Sequence, residues 1–96
     1  MLFLAFYETT LAKLDATVAK RLEWETAAPP TIKIIGEWVQ HGSSEAIRGV
    51  IVLETDDPAD IQTIVLYWGD TVKLDIRPAS DVKTAIERMK SAEGEA

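Results

Sequence analysis

The densest group of potential metal ligands in the chain is Glu54, Asp56, Asp57 and Asp60. Carboxylate oxygens grouped this closely suit a hard divalent cation. They equally suit the start of a helix, because Asp57 directly before Pro58 is an N-cap pattern and negative charge is favoured near a helix N-terminus. We read the three aspartates as helix-start residues and expect no metal site. His41, the single histidine, has the chemistry of a general base or an axial ligand. Its neighbours Gly42, Ser43 and Ser44 make it a wet turn residue, and no second ligand stands at a metal-binding spacing. Tyr7, Lys33, Trp38, His41 and Arg48 form the candidate binding set, since cations and aromatic rings together can hold a small anion or a small aromatic molecule.

No acid and base are paired at a recognisable spacing, and no nucleophile has an activating neighbour, so no catalytic residue is assigned. With no cysteine, disulfides and thiolate chemistry are excluded together. The chain carries 16 acidic and 10 basic residues, a net charge of −6. That balance argues against general nucleic-acid binding, which rests on lysine and arginine against phosphate. The opening run Met1–Tyr7 is too short to span a membrane and lacks the basic flank of a signal peptide, so a cytoplasmic protein without a membrane partner is expected.

The elements that must position these residues follow from periodicity. Met1–Tyr7 is apolar at almost every position and reads as a strand covered on both faces. Thr9 or Thr10 then caps a helix whose stripe is Leu11, Leu14, Val18 and Leu22, and Pro29-Pro30 ends it. Residues 31–40 form a second strand, with Ile32, Ile34, Gly36 and Trp38 on one side and Lys33, Ile35, Glu37 and Val39 on the other. A turn at His41–Glu45 leads to a third strand over 47–54. A helix from Asp57-Pro58 buries Ile61, Ile64, Val65 and Trp68 and stops at Gly69. Thr71–Arg77 alternates strictly, and Ser80 caps a last helix with Val82, Ala85, Ile86 and Met89. Residues 1–90 make one domain, and 91–96 form a flexible C-terminal tail.

This β-α-β-β-α-β order with an added C-terminal helix predicts an α+β, ferredoxin-like fold. Right-handed crossovers give an antiparallel four-stranded sheet in the order four-one-three-two, with two helices on one face. The other face needs a cover. Phe3, Ala5, Tyr7, Ile35, Val50 and Val52 are expected there, rimmed by Lys33, Glu37, Arg48, Glu54, Lys73, Asp75 and Arg77. A second copy is the simplest cover, which makes Phe3, Ala5, Ile35, Val50 and Val52 the expected interface of a homodimer. Trp38 and Trp68 are expected to pack between sheet and helices. Gly36 and Gly49 leave room there for a ligand or a bulge.

Three stretches carry a family resemblance: Pro29-Pro30-Thr31-Ile32-Lys33-Ile34-Ile35-Gly36-Glu37-Trp38, then Gly49–Asp57, then Tyr67-Trp68-Gly69-Asp70 before a strand closed by Pro78. Together they resemble a prokaryotic domain-of-unknown-function family, number 3303, which is similar to the dimeric α+β barrel superfamily. The resemblance implies ferredoxin-like protomers paired through their sheets. Superfamily relatives include cofactor-independent monooxygenases and haem-handling proteins, but the family implies no catalytic residue. Three functions compete. One is a homodimeric module that binds a small molecule or simply assembles. Another is a monooxygenase-like enzyme acting on a small aromatic substrate with His41, Tyr7 or a tryptophan, and the third is a haem protein with His41 as axial ligand. The first is preferred, with no cofactor, because nothing in the chain pairs an acid with a base.

Overall fold

In the computed structural model, which describes residues 1–42 and 45–95, four strands alternate with helices in the expected order. Strands β1 (Leu2–Thr10), β2 (Lys33–Val39), β3 (Ala46–Glu54) and β4 (Lys73–Ala79) form one sheet in the order β2-β3-β1-β4. Every neighbouring pair is antiparallel. Helices α1 (Leu14–Ala27) and α2 (Pro58–Trp68) are the two crossovers, and α3 (Val82–Glu95) follows β4. This is the ferredoxin-like arrangement, with the most apolar strands in the centre and the charged ones at the edges. Ser43 and Ser44, part of the expected turn, lie outside the described residues.

Local chemistry sets the element ends. β1 runs on through both threonines, so neither caps α1. Thr9 is buried and donates its hydroxyl to the Thr71 carbonyl at 2.9 Å. Thr10 precedes a 3-10 turn over Leu11–Lys13 without a side-chain cap bond. Asp57 does cap α2: its Oδ1 accepts from the Ala59 N–H at 2.9 Å, with Pro58 at the first helical position. The other two aspartates do something else. Asp60 is buried and accepts from the hydroxyls of Thr31 and Thr55, each at 2.6 Å. It thereby ties the start of β2 and the end of β3 to α2. Asp56 is exposed and pairs with the N-terminal ammonium at 2.6 Å.

Asp81, and not Ser80, caps α3, accepting from the Thr84 N–H and hydroxyl at 2.8 Å each. The helix continues to Glu95, so the stretch expected as a tail from Ser91 is helical up to that residue. Its apolar stripe, Val82, Ile86 and Met89, is exposed.

The faces of the sheet depart from expectation in two strands. In β1 the odd residues face the helices: Ala5 is only 1% exposed, Thr9 is buried, and Phe3 and Tyr7 pack on the core. Phe3 and Ala5, expected at the dimer interface, therefore belong to the interior. Leu2, Leu4, Phe6 and Glu8 take the other face, opposite Glu54, Val52, Val50 and Arg48. A run apolar at both parities carries no signal for which side turns inward. In β2 the register shifts between Ile34 and Gly36, so that Ile35 is an extra residue against β3. Beyond that bulge the parity inverts. Glu37 pairs with Ile51 on the helix side, and Trp38 pairs with Val50 on the open side. Trp38 is 59% exposed there, not packed under the helices.

Candidate functional site: two faces of one sheet

The helix-covered side holds the core and a hollow. Trp24, Tyr67 and Trp68 form an aromatic cluster joining α1 to α2, with centroids 4.9 Å (Trp24–Tyr67), 5.3 Å (Tyr67–Trp68) and 6.1 Å (Trp24–Trp68) apart. Lys20 locks the cluster from outside. Its ammonium donates to the Tyr67 carbonyl at 2.6 Å, lies 5.1 Å from the ring centroid, and pairs with Asp70. The Tyr67 hydroxyl returns a bond to the Lys20 carbonyl at 3.1 Å. The Lys20 bond and charge hold the Asp70 carboxyl below the usual aspartate range.

α1 is turned opposite to its expected stripe. Of that stripe Leu14 is half-buried, while Val18 and Leu22, and Leu11 in the preceding 3-10 turn, are exposed, Leu22 at 63%. The inward side carries Thr17, Arg21 and Trp24, spaced three and four apart, with Ala28 beyond them. Arg21 makes a two-pronged contact with Glu37 of β2, Nε to Oε2 at 3.0 Å and Nη2 to Oε1 at 2.6 Å. This bond raises the Arg21 pKa above its ordinary value. Inside these residues lies a cavity of about 130 Å³, lined chiefly by Ala5, Ile51, Leu53, Ile64, Trp24 and Trp68. Tyr7, Arg21 and Glu37 are among its polar members. The Tyr7 ring lies over Gly49, where any Cβ would collide with the phenol, so a glycine is required at that position. Burial, then the Glu37 charge, pushes the Tyr7 phenol above its usual value.

Among the described residues no helix covers the open side, where Phe6 and Trp38 are exposed. Leu4, Phe6, Val50 and Val52 form its centre, and the Trp38 ring fills the space a Cβ at Gly36 would need. Four cations, Lys33, Arg48, Lys73 and Arg77, share the face with three anions, Glu8, Glu54 and Asp75. Arg48 pairs with Glu8 at 2.7 Å and Arg77 with Asp75 at 3.1 Å. Over one end lies a broad trough of about 600 Å³ bordered by Phe6, Trp38, Arg48, Val50 and Asp75.

The candidate binding set is thus divided. Trp38 and Arg48 meet at the trough, which Tyr7 also borders although its ring belongs to the covered side. Lys33 lies on the open face outside the trough, and His41 is exposed in the turn after β2, lining neither hollow. Of the expected interface residues, Val50 and Val52 are on the open face, and Ile35 is the bulge residue, 50% exposed. Sequence reasoning missed Trp24, Arg21 and Glu37. The spacing Thr17-Arg21-Trp24-Ala28 is itself helical and was the available signal, masked by the more apolar Leu11-Val18-Leu22 series.

Among solved structures, the chain is similar to the C-terminal domain of the MgtC protein from Mycobacterium tuberculosis, at TM-score 0.57 and 10% identity, covering 84% of this chain and 92% of that one. It is also similar to a formyltetrahydrofolate deformylase from Pseudomonas putida KT2440, at TM-score 0.51 and 6% identity, over 82% of this chain and 29% of the deformylase. A putative antibiotic biosynthesis monooxygenase from Chloroflexus aurantiacus J-10-fl matches at TM-score 0.42 and 13% identity, covering 84% of this chain and 96% of its own. At these identities the likeness to the first two is one of fold. No curated protein matches the chain. The family model described as Domain of unknown function (DUF3303) matches residues 1–93, and the chain belongs to that family.

Proposed function

We propose that this protein is a homodimeric assembly module that pairs with a second copy through the open face of its sheet. The observation that carries this reading is the composition of that face: an uncovered apolar centre of Leu4, Phe6, Val50 and Val52 inside a rim of charges that nearly cancel. The chain as a whole carries −6. The charge outside this face is net negative, whereas here cations and anions can alternate across a two-fold axis. A face four strands wide and about seven residues long spans roughly 20 by 23 Å. Two such faces hide close to the roughly 1,000 Å² that a specific interface needs. The exposed rings of Phe6 and Trp38 are the anchors such an interface would use.

Sedimentation equilibrium at micromolar concentration tests this directly. The expected species has twice the 10.6 kDa mass of the chain. Phe6→Asp and Val50→Asp place an unpaired charge on each side of one cross-strand pair, and each should return the protein to monomer while it stays folded. A monomer across a wide concentration range, or a dimer indifferent to both substitutions, refutes the proposal.

A further inference from the structure

The cavity beneath α1 and α2 is lined by the core itself: Ala5, Trp24, Leu53, Ile64, Trp68 and Val72 all border it. Its walls are apolar, with Trp24 and Trp68 supplying flat aromatic surface. At about 130 Å³ it is close to the roughly 150 Å³ of an apolar cavity that holds benzene, so one six-membered ring is the largest rigid group it admits. Ile34 and Glu37 are its exposed members, and they place its opening beside edge strand β2.

The polar groups at that opening define what the ring should carry. The Arg21 fork is already filled by Glu37, so the guanidinium offers no free charge to an anion. The Glu37 carboxylate still has lone pairs after accepting from Arg21. The half-buried Tyr7 phenol borders the same hollow, and burial and the Glu37 charge raise its pKa, so it stays neutral. A negative ligand would meet Glu37, and a purely apolar one would leave both oxygens without a new partner. From this geometry we propose that the cavity binds a neutral, single-ring aromatic molecule bearing one hydrogen-bond donor, its ring on the tryptophan wall and its donor directed to Glu37. This is independent of how the open face is used.

Phenol, benzene and benzoate titrated into the full-length chain, followed by NMR, test it. Phenol should bind saturably at one site, shifting the Trp24 and Trp68 indole N–H signals and the Ile64 methyls. It should bind about tenfold more tightly than benzene, the value of one hydrogen bond to a charged acceptor. Benzoate should bind more weakly than either. Ile34→Phe, which fills the opening from an exposed position, should abolish phenol binding. Val72→Leu supplies a second filled cavity should the first variant misfold. Phe6→Asp, on the opposite face, should leave phenol affinity unchanged. Failure of phenol to bind, equal affinity for phenol and benzene, benzoate binding as tightly as phenol, or filled variants that bind phenol like the wild type would each overturn the assignment.

Discussion

The two faces of this sheet put their apolar side chains to opposite ends. On the covered face every buried polar side-chain atom among the described residues has a partner, and small Ala5 beneath the Trp24–Trp68 pair lets the helices approach. On the open face the valines and Phe6 stand half covered or exposed among ion pairs that lie in the plane of the sheet. A covered face is closed by saturation, with hydroxyl, carboxylate and ring each matched inside one chain. An open face is left with apolar area and balanced charge, a combination that is soluble alone yet loses little on meeting its own copy.

Adjacent residues on β3 offer the sharpest test, because Leu53 faces the helices and Val52 the open side. Leu53→Ala should cost about 2–5 kcal/mol in denaturant unfolding, the usual range for emptying a core leucine site. Val52→Ala, measured dilute enough to be monomeric, should cost under about 1 kcal/mol. Equal costs would mean that the open side is packed as tightly as the covered one. Removing the buried carboxylate by Asp60→Ala strands the Thr31 and Thr55 hydroxyls. A loss of about 1–3 kcal/mol is expected, with partial recovery in Asp60→Asn, which keeps an acceptor. Asp57→Ala should lose about 0.5–2 kcal/mol through the α2 cap, and Asp56→Ala in the same assay should fall short of it.

The smallest effect is one of pH. Asp81 is lowered first by the Thr84 N–H and then by its hydroxyl, and Asp70 by the Lys20 bond and charge. A carboxylate depressed in the folded state stabilises at pH values above its unfolded value, here 3.8, and that contribution is lost as pH falls through the lower folded values. The melting temperature should therefore decline gently below pH 4 or so. Asp70→Asn should flatten part of that decline; an unchanged slope would remove the Lys20–Asp70 pair from the account.

Much of this was legible in the chain. The order of elements followed from periodicity, the sheet order from right-handed crossovers and the Asp57 cap from the Asp-Pro pattern, and β4 disclosed its inward side because Leu74 and Ile76, with Val72 just before them, alternate strictly with Lys73, Asp75 and Arg77. β1 did not, since its residues are apolar at both parities and the decision rests on where the helices meet Ala5. β2 misled through a single extra residue that no composition announces, and it carried Glu37 and Trp38 to the wrong sides. α1 misled for a different reason. It turns a polar pair and a tryptophan inward, so its most apolar stripe is its exposed one.

The bulge at Ile35 has a consequence for growth as well as for parity. β2 is one border of the sheet, and β4, the other, carries Pro78 without an N–H to offer. A kinked border and a border missing a donor are both poor templates for recruiting another strand. Extension of the ladder from chain to chain, the route to fibrils, is obstructed at both ends, and the face-to-face pairing proposed above is one that a single partner would complete, so that accretion would stop there.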